Sequence, residues 1–255
     1  MGWVVVFAVL VFGLAALVFS RLWRYGRPDE DGGAGTIDLA VHIALAVFLV
    51  VLAYAVVLCR DAISAADADV GAEAESLTEL YWAAAPLPGS GHVRSLVRSY
   101  TSQSIKLDWP LMAADRTLSP EVDRALLDLR AAVTRLASAS PVEEDLRTEA
   151  LARAAEVSHA RALRMDDATT ELEPVFFTAM VISGLLVIVL PWTLRRRPSM
   201  PSIVADVVRI VTVVAGIVLV TEIAHPYGVR GAVEPTALEA AQAQYDHIDK
   251  AFPVS

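Results

Sequence analysis

Apolar residues in this chain gather into long runs instead of alternating with polar ones. Residues 2–20 contain no charged side chain, and neither do residues 39–59, where His42 is the only ionisable group besides Tyr54 and Cys59. Residues 175–194 are also uncharged, while a fourth run, 203–224, is interrupted by Asp206, Arg209 and Glu222. About 20 apolar residues rising about 1.5 Å each match a hydrocarbon layer about 30 Å thick, so each run predicts a transmembrane helix. No Lys or Arg precedes the first run, and Ser20-Arg21-Leu22-Trp23-Arg24-Tyr25 lacks a small-x-small cleavage pattern. It reads as a retained anchor, not a removed leader.

Between the second and third runs the pattern changes to helical stripes. Val122, Leu126, Leu129, Val133 and Leu136 recur at spacings of four and three, and Val93, Val97, Tyr100, Leu107 and Leu111 form a similar stripe broken by Ser104. Leu77, Leu80, Tyr81 and Ala84 continue the second span outward as one helix. Breaks fall at Pro86 to Gly91, at Leu118-Ser119-Pro120 and at Ser138 to Pro141. Ser119 before Pro120 gives an N-cap and a first-turn proline, and Ser140 with Glu143 has capping-box spacing. A long helix is expected from Pro141 to about Thr170. No alternating β pattern of useful length appears. The fold class expected is therefore all-α: an integral membrane protein with four transmembrane helices in two hairpins flanking a helical extramembrane insert. Its parts are residues 1–59, the insert 60–174, the second hairpin 175–224 and an extramembrane tail 225–255.

Composition supports a lipid-embedded chain, with 55% hydrophobic residues across 255 positions and a mean hydropathy of +0.50. The net charge of −9 argues against a nucleic-acid partner, which requires a basic field. A single cysteine, Cys59, excludes an intrachain disulfide framework and is expected to pack. Arg21, Arg24 and Arg27 mark the first short connection and Arg195, Arg196 and Arg197 the second. Arginines beside short loops resist translocation, so both loops are read as cytoplasmic and both termini as outside. The insert, with 12 Lys and Arg against 20 Asp and Glu, then faces the extracytoplasmic side.

The order of several short motifs resembles a known family. Glu73-Ala74-Glu75-Ser76-Leu77-Thr78-Glu79-Leu80-Tyr81 is followed by Leu87-Pro88, Leu96-Val97-Arg98-Ser99-Tyr100 and Asp108-Trp109-Pro110-Leu111-Met112. Ala160-Arg161-Ala162-Leu163-Arg164 precedes the third span and His225-Pro226-Tyr227-Gly228 follows the fourth. Together these resemble the bacterial bestrophin-like domain family over nearly the whole chain. Asp108-Trp109 stands where the family usually has Glu-Trp, and Pro226-Tyr227 where it has Pro-Phe. The resemblance implies a multi-pass protein of a bacterial cell membrane, a distant likeness to oligomeric anion channels, and structural roles for Glu75, Tyr81, Trp109, Arg161, Arg164, His225, Pro226 and Gly228.

Ionisable residues near span ends are the candidates for chemistry. Asp206 and Arg209 are three apart on one helical face and can pair. They read either as an interfacial pair with Arg209 snorkelling outward or as a charged ring at a pore mouth. His42 reads as an interfacial residue or a pore-lining one, and Glu222 lies three residues before His225 at the end of the fourth span. The acids Asp67, Asp69, Glu73 and Glu75, and likewise Asp166, Asp167, Glu171 and Glu173, lack the ordered ligand set of an EF-hand and read as solvated helix faces. His42, His92, His159, His225 and His247 have no metal-ligand spacing. Phosphate-loop, dinucleotide, zincin and nucleophile-elbow motifs are absent, so neither cofactor, metal nor enzyme activity is expected. Two functions follow: a homo-oligomeric ion channel in the bilayer, as the resemblance implies, or a non-conducting sensor or scaffold whose acidic helical domain binds a protein partner.

Overall fold

A computed structural model describes residues 33–170, 172–194, 200–228 and 233–253. The expected first span at 2–20 and the arginines at 21–27 and 195–197 lie outside these residues. All elements among the described residues are helical: α1 (Gly33–Ala84), α2 (Ser90–Gln103), a π turn (Ser104–Asp108), α3 (Trp109–Asp115), α4 (Pro120–Thr134), α5 (Pro141–Thr169), α6 (Pro174–Leu194), α7 (Met200–Ile223) and α8 (Thr236–Ala251). The chain divides into two compact units. One comprises Met1–Arg60 with Glu171–Ala224, the other Asp61–Thr170 with His225–Ser255.

In the first unit, Phe48, Ala55 and Cys59 of α1 pack with Met180 and Val187 of α6 and Val213 and Val220 of α7. Close approach depends on two glycines. A Cβ added at Gly184 would lie 2.7 Å from Val213 Cγ1, and one at Gly216 would lie 2.9 Å from Leu52 Cδ2. Small residues at such crossings let helix backbones approach, which is how spans associate where lipid removes the hydrophobic drive between them. Their other faces are apolar and open: Leu39, Val50, Leu185, Val204, Val208 and Val211 are all more than half exposed. Among the described residues, three helical stretches are long and apolar enough to cross a membrane, one within Leu39–Ala84, one within Pro141–Pro191 and the third Ile203–Ile223. An open apolar surface of this kind is stable in lipid and an aggregation hazard in water. The chain is a membrane protein.

The second unit is built from the amphipathic stripes. Val122, Leu126, Leu129, Val133 and Leu136 are all buried, as are Leu77, Leu80, Tyr81 and Ala84. Ser119 caps α4, accepting from the Glu121 amide at 3.2 Å, with Pro120 in the first turn. Ser140 and Glu143 form the capping box that starts α5. Gly89 closes the link between α1 and α2 at φ 75°, a left-handed conformation that glycine adopts without a Cβ clash.

Two expectations change. The stripe through Leu107 and Leu111 does not hold: Leu107 is exposed, and Ser104, Asp108 and Met112 occupy the buried face. Pro110 has no N–H for the Lys106 carbonyl and its ring crowds that oxygen, so the preceding turn widens to a π turn and the register slips by about one residue. The tail is also not merely an appendage. Leu238, Ala241, Tyr245 and Ile248 of α8 are buried in the core of this unit.

Candidate functional site

The π turn delivers Ser104 and Asp108 into the apolar interior, where two arginines from α5 meet them. Arg161 and Arg164 are three residues apart and so project from the same face of that helix. Arg164 is fully buried, as are Glu73 and Asp108. Arg164 Nε lies 3.0 Å from Glu73 Oε2, while its Nη2 donates to Glu73 Oε1 at 3.2 Å and to Asp108 Oδ2 at 3.1 Å. Its Nη1 donates to Ser104 Oγ at 2.8 Å. Arg161 donates to Asp108 Oδ2 at 2.6 Å, to the Ser119 carbonyl at 3.2 Å and to Asp123 Oδ1 at 2.8 Å.

Asp108 also accepts from the Ser119 amide at 2.8 Å and from Ser104 Oγ at 3.0 Å. Glu73 accepts from the Tyr100 hydroxyl at 2.5 Å. The guanidinium groups of Arg161 and Arg164 lie over the rings of Tyr100 and Trp109, at 5.9 and 5.2 Å from the centroids. Two carboxylates and two guanidiniums thus balance in a buried site that joins α1, the π turn, the start of α4 and α5. Burial works against the charge of Arg164, but its neighbours, Glu73 first among them, outweigh it and hold the group protonated. Burial, reinforced by Glu73, pushes the Tyr100 phenol well above its ordinary value, so it stays a donor.

A second polar cluster fastens α8. Arg94, almost fully buried, donates to Asp249 Oδ1 at 2.9 Å and to the Phe252 carbonyl at 2.7 Å. Arg98 donates to Asp249 Oδ2 at 2.7 Å, to Asp246 at 2.8 Å and to the Tyr81 hydroxyl at 3.0 Å. Tyr81 in turn donates to Asp249 at 2.7 Å and stacks on Tyr245 with ring centroids 4.5 Å apart. Partial burial opposes the ionisation of Asp249, yet hydrogen bonds from Tyr81 and Arg98 leave its carboxyl below the usual range. A depressed folded value means that the native state binds this proton less tightly than the unfolded chain does. The stabilisation is therefore complete above the ordinary carboxylate value of about 3.9 and is lost as pH falls through the folded value. Asp249→Ala should reproduce that loss at pH 7. Amide hydrogen exchange over residues 236–251 should then accelerate while residues 120–134 keep their protection; unchanged exchange in α8 would show that the apolar stripe alone holds it.

The remaining sequence candidates are distributed. Asp206 and Arg209 pair at 2.8 Å within α7, with both side chains less than one-fifth exposed. His42 and Glu222 lie on exposed faces of α1 and α7. His225 Nε2 is 2.8 Å from the Met112 carbonyl, and the Gly228 amide donates to the His225 carbonyl, making the turn expected there with Pro226. Of the three acids in the first motif on α1, Glu73 enters the interior whereas Glu75 and Glu79 are exposed. Reading both acidic clusters as solvated faces also fails in part. Glu73 is buried and Asp69 and Asp167 are half-buried, because these positions fall on the inward face set by Ala66, Val70 and Leu77 and by Ala160, Arg164 and Ala168.

Neither of two shallow depressions, of about 390 and 290 Å³, includes the four buried charges. Among the described residues, no group of three or more His, Cys, Asp or Glu side chains is placed to hold a metal ion. The central guanidiniums bond to side chains and carbonyls of neighbouring helices, so the arrangement can bind those helices together.

The motifs that build this lock lie within a stretch, residues 4–238, that matches the model of the bestrophin-like domain. The chain belongs to the bestrophin-like domain family. No curated protein and no solved structure matches the chain. The bestrophin-like region contains Glu73, Asp108, Arg161, Arg164 and the His225–Gly228 turn, and it ends just inside α8, before Tyr245 and Asp249.

Proposed function

We propose that this bestrophin-like protein is a homo-oligomeric, non-enzymatic membrane protein that conducts ions, anions in particular. The observation that carries the reading is α7: a span with open valine faces at Val204, Val207, Val208 and Val211 that nevertheless holds the Asp206–Arg209 ion pair. A charge at mid-bilayer costs about 2.5–3.5 kcal/mol on insertion scales, and ionisable groups in spans favour bundle interiors and water-filled paths. Several copies of α7 around an axis would bury the valine faces against neighbours and present a polar ring to water. The charge-locked helical unit serves as a rigid body without chemistry of its own, on the extracytoplasmic side by the arginine distribution at 21–27 and 195–197.

Purified protein should run in detergent at a multiple of the chain mass and give ion-selective currents in planar bilayers. Arg209→Gln with Asp206→Asn should shift the reversal potential in a salt gradient. Silent bilayers from a folded oligomer would remove the conduction reading and leave the acidic helical unit as a partner-binding scaffold. Reporter fusions at the C-terminus test sidedness separately.

A further inference from the structure

The lock between α1 and α5 has an unusual neighbour. Glu73 meets Arg164 across these helices, and one turn further along each, at Asp69 and Asp167, two acids meet instead. Because α1 indices fall as α5 indices rise, the helices run antiparallel here and the i−4 and i+3 positions share the same contact face. The carboxyls are within hydrogen-bonding reach of each other, yet Oδ2 of Asp167 is buried without a hydrogen-bond partner in the protein. Arg164, the nearby cation, is already engaged by Glu73, Asp108 and Ser104.

A second observation comes from the segment after α7. Tyr227 is only 3% exposed and its hydroxyl also lacks a partner. Its ring packs edge-on against Trp109, with centroids 6.1 Å apart. Burial and then the carboxylate of Asp167 are the main influences that raise its phenol, with Arg164 opposing and Glu73 and Asp69 adding to them. The groups that face the acid pair are therefore Glu73 from α1, Arg164 and Asp166 from α5, and Tyr227 from the turn, which His225 anchors through Met112.

We propose that the Asp167 carboxyl keeps a proton that it donates to Asp69, and that this proton is a bound structural ligand closing α1 on α5 beside Tyr227. Two carboxylates in contact cannot both stay ionised without a cation between them, whereas a carboxyl–carboxylate pair makes a strong charge-assisted hydrogen bond. Burial first, and the carboxylate of Asp69 second, push the Asp167 carboxyl up to about 6. A raised folded value means that the native state holds this proton more tightly than the unfolded chain. The stabilisation is complete below the ordinary carboxylate value of about 3.9 and is lost as pH rises through about 6. The site operates whether or not the protein conducts.

The test is an infrared titration of the full chain in lipid from pH 5 to pH 8, read alongside the thermal midpoint. One protonated-carboxyl band per chain should disappear with a midpoint near 6, and the thermal midpoint should fall over the same interval. Asp167→Asn should lack the band, flatten the thermal profile and match or exceed the native midpoint at pH 8; Asp69→Asn serves if that variant does not fold. A native chain with no such band, or Asn variants that keep the native pH slope, would overturn the proposal. So would a divalent-cation-dependent rise in midpoint at pH 8 that both Asn variants abolish, since a metal would then be the ligand.

Discussion

Arg164→Ala is expected to destabilise the protein by about 3–5 kcal/mol, the range for removing one member of a buried ion pair. The guanidinium is fully buried, and its loss leaves Glu73 with only the Tyr100 hydroxyl and Asp108 without one of its two cationic partners. At about 2–4 °C per kcal/mol for a chain of this size, the thermal midpoint should drop by roughly 6–20 °C. The double variant Glu73→Leu with Arg164→Met should lose much less than the two single changes summed, because it removes both charges and their desolvation together. A loss under about 1 kcal/mol for Arg164→Ala, the scale of an exposed pair, would show that the site is wet.

Gly184→Leu should be the most damaging small change in the membrane-spanning unit. The first added carbon would sit 2.7 Å from Val213 Cγ1 and 3.3 Å from Phe48 Cε2. Val213 is β-branched with one strongly preferred rotamer in a helix, and Phe48 is completely buried, so neither yields cheaply. Overpacking by methylenes costs about 1–3 kcal/mol, and leucine at this crossing should fall at the top of that range. Size-exclusion profiles in detergent before and after mild heating would report it as loss of the monodisperse peak. Gly71→Ala is the control. Nothing lies within 4 Å of its added Cβ, and the helix interior should gain about 0.4–1 kcal/mol. A native profile for Gly184→Leu would mean that α6 and α7 separate without penalty.

Much of the architecture was legible because it depends on periodicity and caps. Val122 to Leu136, the Ser119 and Ser140 caps and the outward continuation of α1 through Leu77 and Tyr81 all follow from spacing. The site was harder to read. Glu73 and Asp108 are acids, and hydrophobic patterning assigns acids to water unless their partners are already known. Their positions did carry a signal: Glu73 sits between Val70 and Leu77 on one stripe, and Asp108 is midway between Ser104 and Met112 at spacings of four. Arg161 and Arg164 read as packing residues, but the acids they meet lie 53 and 91 positions away in sequence, a distance no local pattern spans. The α8 stripe at 238, 241, 245 and 248 follows the same rule as α4, in a segment whose place after the last span suggests a tail.

The widened turn at Ser104–Asp108 makes backbone phase, more than residue identity, the vulnerable quantity in this stretch. If the turn tightened to α-helical phase at unchanged length, Leu107 would rotate toward the place Asp108 now holds. Both arginines of α5 would then face an aliphatic side chain in a buried site. Such tightening should be tolerated far worse than substitution of either exposed neighbour, Lys106 or Leu107.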